Sequence, residues 1–417
     1  VTTSALNRRR FLGRAGLLAG VGAAGGVLAA CSTDAPAPPP QTVPFRGTYQ
    51  AGIDTAAQDR LAFAAFDVAP GSTRADLIAM LTSWTAAAEA MTLGQPVPGS
   101  SDQQQSPPAD TGEADGLAPG NLTVTVGFGP GLFDARFGLA ARRPTELAEL
   151  PALPGDFLDP TRSGGDICVQ ACSEDPQVAF HAVRNLARLG RGTVVTRWTQ
   201  LGFGRTSSTS TTQATARNLM GFKDGTRNLK VEDPGVMSRS VWVAPGDLPG
   251  AASWMAGGSY LVSRRIRMII ETWDRDVLSN QEDVFGRSKA SGGPLSGGDE
   301  FTPPDFHATL AGGVPAIPMN AHVRLAAPEN NNGTAILRRS YSYTDGVDSR
   351  TGMLDAGLFF IAFMRSPAQF VRLQSQLGAH DALNEYIQHT SSALFACPPG
   401  VAPGNSGDYW GRALFEG

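Results

Sequence analysis

Apolar positions fall into two rhythms along this chain. Leu61-Ala62-Phe63-Ala64-Ala65-Phe66-Asp67-Val68 is a dense run of strand-forming residues, and a Pro-Gly-Ser turn separates it from a helical stretch from Arg74 to Ala88. Thr123-Val124-Thr125-Val126, then Asp166 to Cys172, then Thr193 to Gly202 predict three further strands. Between the last two, Asp175-Pro176 opens a helix with a side-chain cap and a pre-set φ in its first turn. Helical spacing puts Val178, Ala182, Leu186 and Leu189 on one face and His181, Asn185 and Arg188 on another. The polar, proline-containing segment from Gly94 to Pro119 predicts a long surface loop.

The second half repeats this vocabulary. Leu358-Phe359-Phe360-Ile361-Ala362-Phe363 leads through Ser366-Pro367 into a helical stretch from Ala368 to Leu377. Both this run and Leu61 to Phe66 read L-x-F-x-A-F, followed by a turn and a helix. Strands and helices mixed in both halves predict two related α+β units, each an antiparallel sheet with helices on one side. The join falls in the loop between Thr206 and Asp233, dividing the folded chain into residues 45–220 and 221–417.

Length and composition narrow the possibilities. A chain of 417 residues with 41% apolar content can bury two full-sized cores. A formal charge of -4 argues against a nucleic acid or anionic lipid surface held by charge. Four cysteines are too few for a disulfide scaffold. Cys168 and Cys172 lie four apart on a predicted strand, about 13 Å if extended, which is too far for a mutual disulfide.

Residues 1–44 stand apart from the fold. Arg8-Arg9-Arg10-Phe11-Leu12 precedes a Gly/Ala-rich apolar run from Leu17 to Ala30, too short and glycine-rich for a membrane span. The pattern is that of a twin-arginine export signal, a route that carries folded proteins out of the cytoplasm. Leu28-Ala29-Ala30-Cys31 has the form of a lipobox, and lipidation at Cys31 stands equal with ordinary cleavage nearby. A proline-rich tether from Ala35 to Pro44 follows.

Two motifs bear on chemistry. Gly127-Phe128-Gly129-Pro130-Gly131 imitates a phosphate loop, but Leu132 stands where a third glycine is needed and Pro130 lacks a backbone donor, so it reads as a structural turn. The stronger segment is Asn218-Leu219-Met220-Gly221-Phe222-Lys223-Asp224-Gly225-Thr226-Arg227-Asn228. A carboxylate between glycines can approach a flat ligand closely, because the backbone there carries few side chains. His322 opens His322-Val323-Arg324-Leu325-Ala326-Ala327-Pro328, which leads into Leu337-Arg338-Arg339-Ser340-Tyr341-Ser342-Tyr343. On a strand Arg338 and Arg339 point to opposite faces.

The Gly221-x-x-Asp224-Gly225 run, with Asn218 and Asn228 on its flanks, resembles the signature of dye-decolorizing (DyP-type) haem peroxidases. Gly257 to Val262, Phe285 to Lys289 and Asp381 to His389 match the family too, so the resemblance spans most of the chain after Phe45. It implies a pair of ferredoxin-like α+β domains, with haem b held mainly by the C-terminal one. It assigns His322 as the axial iron ligand, Asp224 as the acid–base group for hydrogen peroxide, and Arg338 as its electrostatic partner. Gly225, Thr226 and Arg227 are expected beside the cofactor. An acidic residue is expected on the second nitrogen of His322, with Glu385 as the candidate. An organic reductant such as a dye or phenol is too bulky for a small pocket, so a surface aromatic is expected to relay electrons; Trp273, Tyr341, Tyr343 and Trp410 are the candidates. The export signal fits the iron-uptake-linked, deferrochelatase-like branch, whose alternative task is release of iron from haem.

Overall fold

The structure is a computed structural model that describes residues 41–99, 104–248 and 250–417. The arginine signal and Cys31 lie outside the described residues.

Among the described residues nine strands form: β1 Arg60–Val68, β2 Thr123–Phe128, β3 Ile167–Ser173, β4 Val194–Arg205, β5 Ser259–Met268, β6 Leu337–Arg338, β7 Tyr341–Val347, β8 Leu354–Met364 and β9 Ile387–Cys397. The α-helices are α1 Arg74–Thr92, α2 Pro176–Leu189, α3 Pro234–Ser240, α4 Ile270–Trp273, α5 Leu278–Phe285, α6 His322–Ala326, α7 Pro367–His380 and α8 Arg412–Glu416. The strands run in the order β5-β9-β2-β3-β1-β4-β7-β8, and β8 pairs back onto β5, closing an antiparallel barrel of eight strands. Short β6 pairs with β8, with Arg338 opposite Ala362.

This corrects the expectation of two ferredoxin-like domains with separate sheets. The strands of the two halves share one closed sheet, joined at short seams where Phe128 faces Ala396 and Phe203 faces Ser342. The physical reason is edge satisfaction. Two separate sheets would leave unpaired backbone groups along β2, β4, β7 and β9, and the seams pair part of those edges.

Closure also explains why the strands read as dense apolar runs. An eight-stranded barrel has an interior just wide enough to be filled by side chains. Phe63 from the first half stacks on Trp198 at 5.3 Å and meets Phe359 from the second half edge-on at 5.3 Å. Cys168, Cys172 and Cys397 are buried free thiols. Outward-facing residues such as Ala62, Ala64 and Phe66 are covered in turn by Leu77, Leu81 and Trp84 of α1. Both faces of most strands are therefore buried.

Local capping sets the helix starts. Thr73 and Asp76 form a reciprocal capping box on α1, and Asp175 accepts from Gln177 N and Val178 N at the start of α2. Residues 104–119 of the predicted loop fold back over α2 and bury His181, which was expected on a polar helix face, to 5% exposure. Asp110 lies 3.4 Å from His181 Nε2, and Glu113 lies 3.3 Å from Nδ1 and 3.2 Å from Arg184. Burial alone would raise the Glu113 carboxyl, but hydrogen bonding and His181 outweigh it and hold its pKa down to about 2.

Candidate active site

On the outer face of the second half, α6 and α7 stand off β5, β8 and β9 and leave a cavity of about 1650 Å³, counting its open mouth. Ile266, Leu358, Phe360 and Ile387 of the sheet and Val323 and Leu373 of the helices give it apolar walls. Asp224, Gly225, Thr226, Arg227, His322 and Arg338 all line it.

The glycine-flanked carboxylate is placed by backbone geometry. Gly225 has φ +85°, and a Cβ there would come within 2.8 Å of Ser207 Cα and 2.9 Å of Ser208 N. Only glycine suits both the left-handed conformation and the close approach. The turn is locked by Asn218 N to Phe222 O at 3.0 Å and Asp224 N to Ala216 O at 2.9 Å. Arg338 Nη1 then donates to Asp224 Oδ1 at 2.7 Å, and Asn218 Nδ2 to Oδ2 at 3.3 Å.

Asn228 ties this loop to the strand that carries the arginine. Its Oδ1 accepts from Arg338 N at 2.9 Å, and its Nδ2 donates to Arg338 O at 2.8 Å and Ser208 O at 3.2 Å. Sequence reading placed Asn228 only as a flank of the motif. Thr226 and Arg227 line the cavity while bonded outward, Thr226 Oγ1 to Glu300 at 3.2 Å and Arg227 Nη2 to Glu329 at 2.5 Å. Arg339 points the other way. It is fully buried and bonds Thr55 O and, at 3.1 Å, Gln58 Oε1.

His322 is the first residue of α6, and its Nδ1 meets Asp381 Oδ2 at 2.6 Å. Asp381 is fixed in turn because its other oxygen accepts from Leu383 N at 2.9 Å. Burial pushes the imidazole pKa down, but the charge and hydrogen bond of Asp381 outweigh it, so the net direction is up; Asp224 adds to the rise and Arg338 opposes it. The acidic partner is therefore Asp381, not Glu385, which is exposed. Both residues stand in one quoted motif, and only the capped turn after α7 decides which of them reaches the histidine.

The expectation of a surface aromatic relay is not met by its candidates. Trp273, Tyr341, Tyr343 and Trp410 are all buried, at 2% exposure or less. Trp273 stands nearest the site, edge-on to Phe285 at 5.7 Å, and Phe285 meets the His322 ring at 6.1 Å. Tyr341 and Tyr343 lie in the barrel interior, and Trp410 packs on Phe45. Sequence reading also missed Arg264, Gln374 and the place of His389, all of which line the cavity.

A hydrogen-bonded carboxylate–guanidinium pair shares this apolar-walled cavity with a carboxylate-anchored histidine, an arrangement able to move a proton at a small polar ligand. Residues 50–204 match the family description Dyp-type peroxidase, N-terminal, and residues 215–402 match Dyp-type peroxidase, C-terminal. A deferrochelatase of Yersinia pseudotuberculosis is 36% identical, covering 98% of this chain and 95% of its own. A dye-decolorizing peroxidase of Thermobifida fusca is 40% identical over 84% of this chain and 78% of its own. Among solved structures, a DyP-type peroxidase from Streptomyces coelicolor superposes with TM-score 0.82 at 40% identity, covering 91% of this chain and 98% of the other. Ferric DtpA from Streptomyces lividans gives the same TM-score, 0.82, at 40% identity, with 91% and 98% covered. The chain belongs to the Dyp-type peroxidase family.

Proposed function

We propose that this chain is an exported haem b peroxidase that reduces hydrogen peroxide and oxidises a dye, a phenol or another one-electron donor. The observation that carries the reading is the Asp224–Arg338 hydrogen bond at 2.7 Å in the cavity that also holds His322. The cavity fits the cofactor on two counts: its walls are apolar, and His322 spends Nδ1 on Asp381, which leaves Nε2 for iron. Haem b supplies, when bound, the iron and electrons for cleavage of the peroxide O–O bond.

The protein's share is proton handling and charge. Asp224 accepts the proton of one peroxide oxygen at a carboxylate oxygen and returns it to the other, the one that leaves as water. Arg338 holds that carboxylate in place and offers a fixed positive charge to the negative charge that develops. Asp381 orients the imidazole of His322 and raises its basicity as a ligand. The apolar walls keep bulk water away from these groups.

A second reading is supported by the deferrochelatase relatives, which match over 98% of this chain. In it the protein serves iron uptake and the cavity receives haem whose iron is to be released. Export by the twin-arginine route, with an optional lipid anchor at Cys31, suits either task. Purified protein loaded with haem, assayed side by side for peroxide-driven dye oxidation and for iron release, tests both. Dye oxidation that is absent while iron release persists would reject the peroxidase reading.

A further inference from the structure

A donor at one oxygen does not set the plane of a carboxylate. The group turns about a broad, two-fold torsion, so a single bond leaves its second oxygen free to swing. In Asp224 both oxygens have donors. Arg338 Nη1 holds Oδ1 at 2.7 Å, and Asn218 Nδ2 reaches Oδ2 at 3.3 Å. Asn218 stands six residues before the carboxylate, is buried at 8% exposure and lines the same cavity.

The amide of Asn218 can point only one way. Its Oδ1 accepts from Met220 N at 3.1 Å and from Phe222 N at 3.4 Å, so a flipped amide would set its NH2 against two backbone donors. Gly221 permits this turn at φ +84°. Gly221 N donates to Asn218 O at 2.9 Å, and Asn218 N donates to Phe222 O at 3.0 Å. The backbone that builds the turn thus aims Nδ2 at Asp224. Other charged groups around the carboxylate are committed elsewhere. On its own loop, Lys223 pairs with Glu300, Arg227 pairs with Glu329, and Lys230 bonds Ser208 O at 2.9 Å. Arg287 bonds Gly292 O and Glu300 O, and His322 of α6 is held by Asp381.

We propose that Asn218 is a positioning residue for the peroxide reaction. Its amide and the Arg338 guanidinium pin the two oxygens of Asp224 from separate elements, and so fix the plane in which the proton is taken up and returned. This rests on the peroxidase reading above. Such orientation lowers the barrier because the reacting group need not be ordered at the moment of transfer. The bond at Oδ2 is neutral and longer, and a neutral bond is about half as strong as a charge-assisted one. Its loss therefore slows the reaction without abolishing it.

The test uses haem-loaded protein mixed with peroxide by stopped flow over a pH series. Asn218→Asp keeps an oxygen for Met220 N and Phe222 N and replaces only the NH2 that faces Asp224. Two carboxyl groups sharing a site do not both ionise readily, and the charge of Arg338 favours ionisation at Asp224. The introduced carboxyl then keeps its proton and donates it as the amide did. The variant should therefore stay close to the native rate in acid and fall behind as pH rises and that proton is lost, with native haem spectra throughout. Asn218→Ser keeps a hydroxyl that can accept from the turn but is too short to reach Asp224. It should be slower by roughly threefold to tenfold at every pH. Added to Asp224→Asn, it should cost nothing further, since it acts only through that carboxylate. An Asn218→Asp deficit that does not change with pH overturns the positioning role. So does an Asn218→Ser deficit that persists beside Asp224→Asn, and so do native rates in both variants. Should Asn218→Asp fail to take up haem, Asn218→Ser, alone and beside Asp224→Asn, decides. A native chain that does not react with peroxide rejects the peroxidase reading itself, and the positioning role falls with it.

Discussion

Arg338 and Asp224 stand 114 residues apart in the chain and 2.7 Å apart in space. Neither is oriented by its own element alone. The guanidinium rides on a two-residue strand and the carboxylate on a glycine-flanked turn, and Asn228 clips the two backbones together. The pair is thus a product of one loop docking on one strand.

If Asp224 moves the peroxide proton, Asp224→Asn should bind haem with near-native spectra yet react with peroxide roughly 10²–10⁴-fold more slowly. Arg338→Leu should be slowed at least comparably, since it removes the fixed charge and frees the carboxylate. Stopped-flow mixing with peroxide measures both, and rates unchanged in both variants would reject the assigned roles.

His322→Ala should lose most of its haem, or show a shifted and weakened Soret band. Asp381→Asn should retain the turn that Asp381 caps but give a less basic imidazole. Its reduction potential should then rise relative to the native protein, because a less electron-rich ligand stabilises ferric iron less. A redox titration that finds no change would remove Asp381 from this role.

Asn228 makes three hydrogen bonds from a buried site. Asn228→Ala leaves Arg338 N and O without those partners, and should cost on the order of 1–3 kcal/mol of stability. Turnover should fall by more than stability alone predicts, because the pair loses its register. Thermal melts and kcat on the same preparation separate the two effects.

Glu113 supplies a pH-dependent clamp. Its pKa falls from 4.5 to about 2 on folding, so its stabilisation is complete above about 4.5 and is lost as pH falls through about 2. Glu113→Gln should therefore lower stability by roughly 1–3 kcal/mol at neutral pH. The difference from the native chain should shrink steadily below pH 4.5 and vanish near pH 2. Denaturant unfolding at several pH values shows this, and a difference independent of pH would contradict it.

Lysines at Arg8, Arg9 and Arg10 should leave the precursor in the cytoplasm with the folded part intact. Normal export of that variant would exclude the twin-arginine route. Fatty-acid labelling with and without Cys31→Ala decides the anchor separately.

Much of the site was written in local sequence. The Asp224-Gly225 turn and the alternation that sends Arg338 and Arg339 to opposite faces follow from short-range rules. So do the helix starts at Asp175-Pro176 and Ser366-Pro367, where the side chain caps its own backbone. Tertiary structure alone decided the rest. Closure of two sheets into one barrel depends on edge strands meeting across the chain, and no window around β2 or β9 contains its partner. The choice of Asp381 over Glu385 turned on which side of a capped turn faces α6. The burial of Tyr341 and Tyr343 could not be read from a strand in a closed, covered sheet, because period-two patterning vanishes when inside and outside are equally apolar.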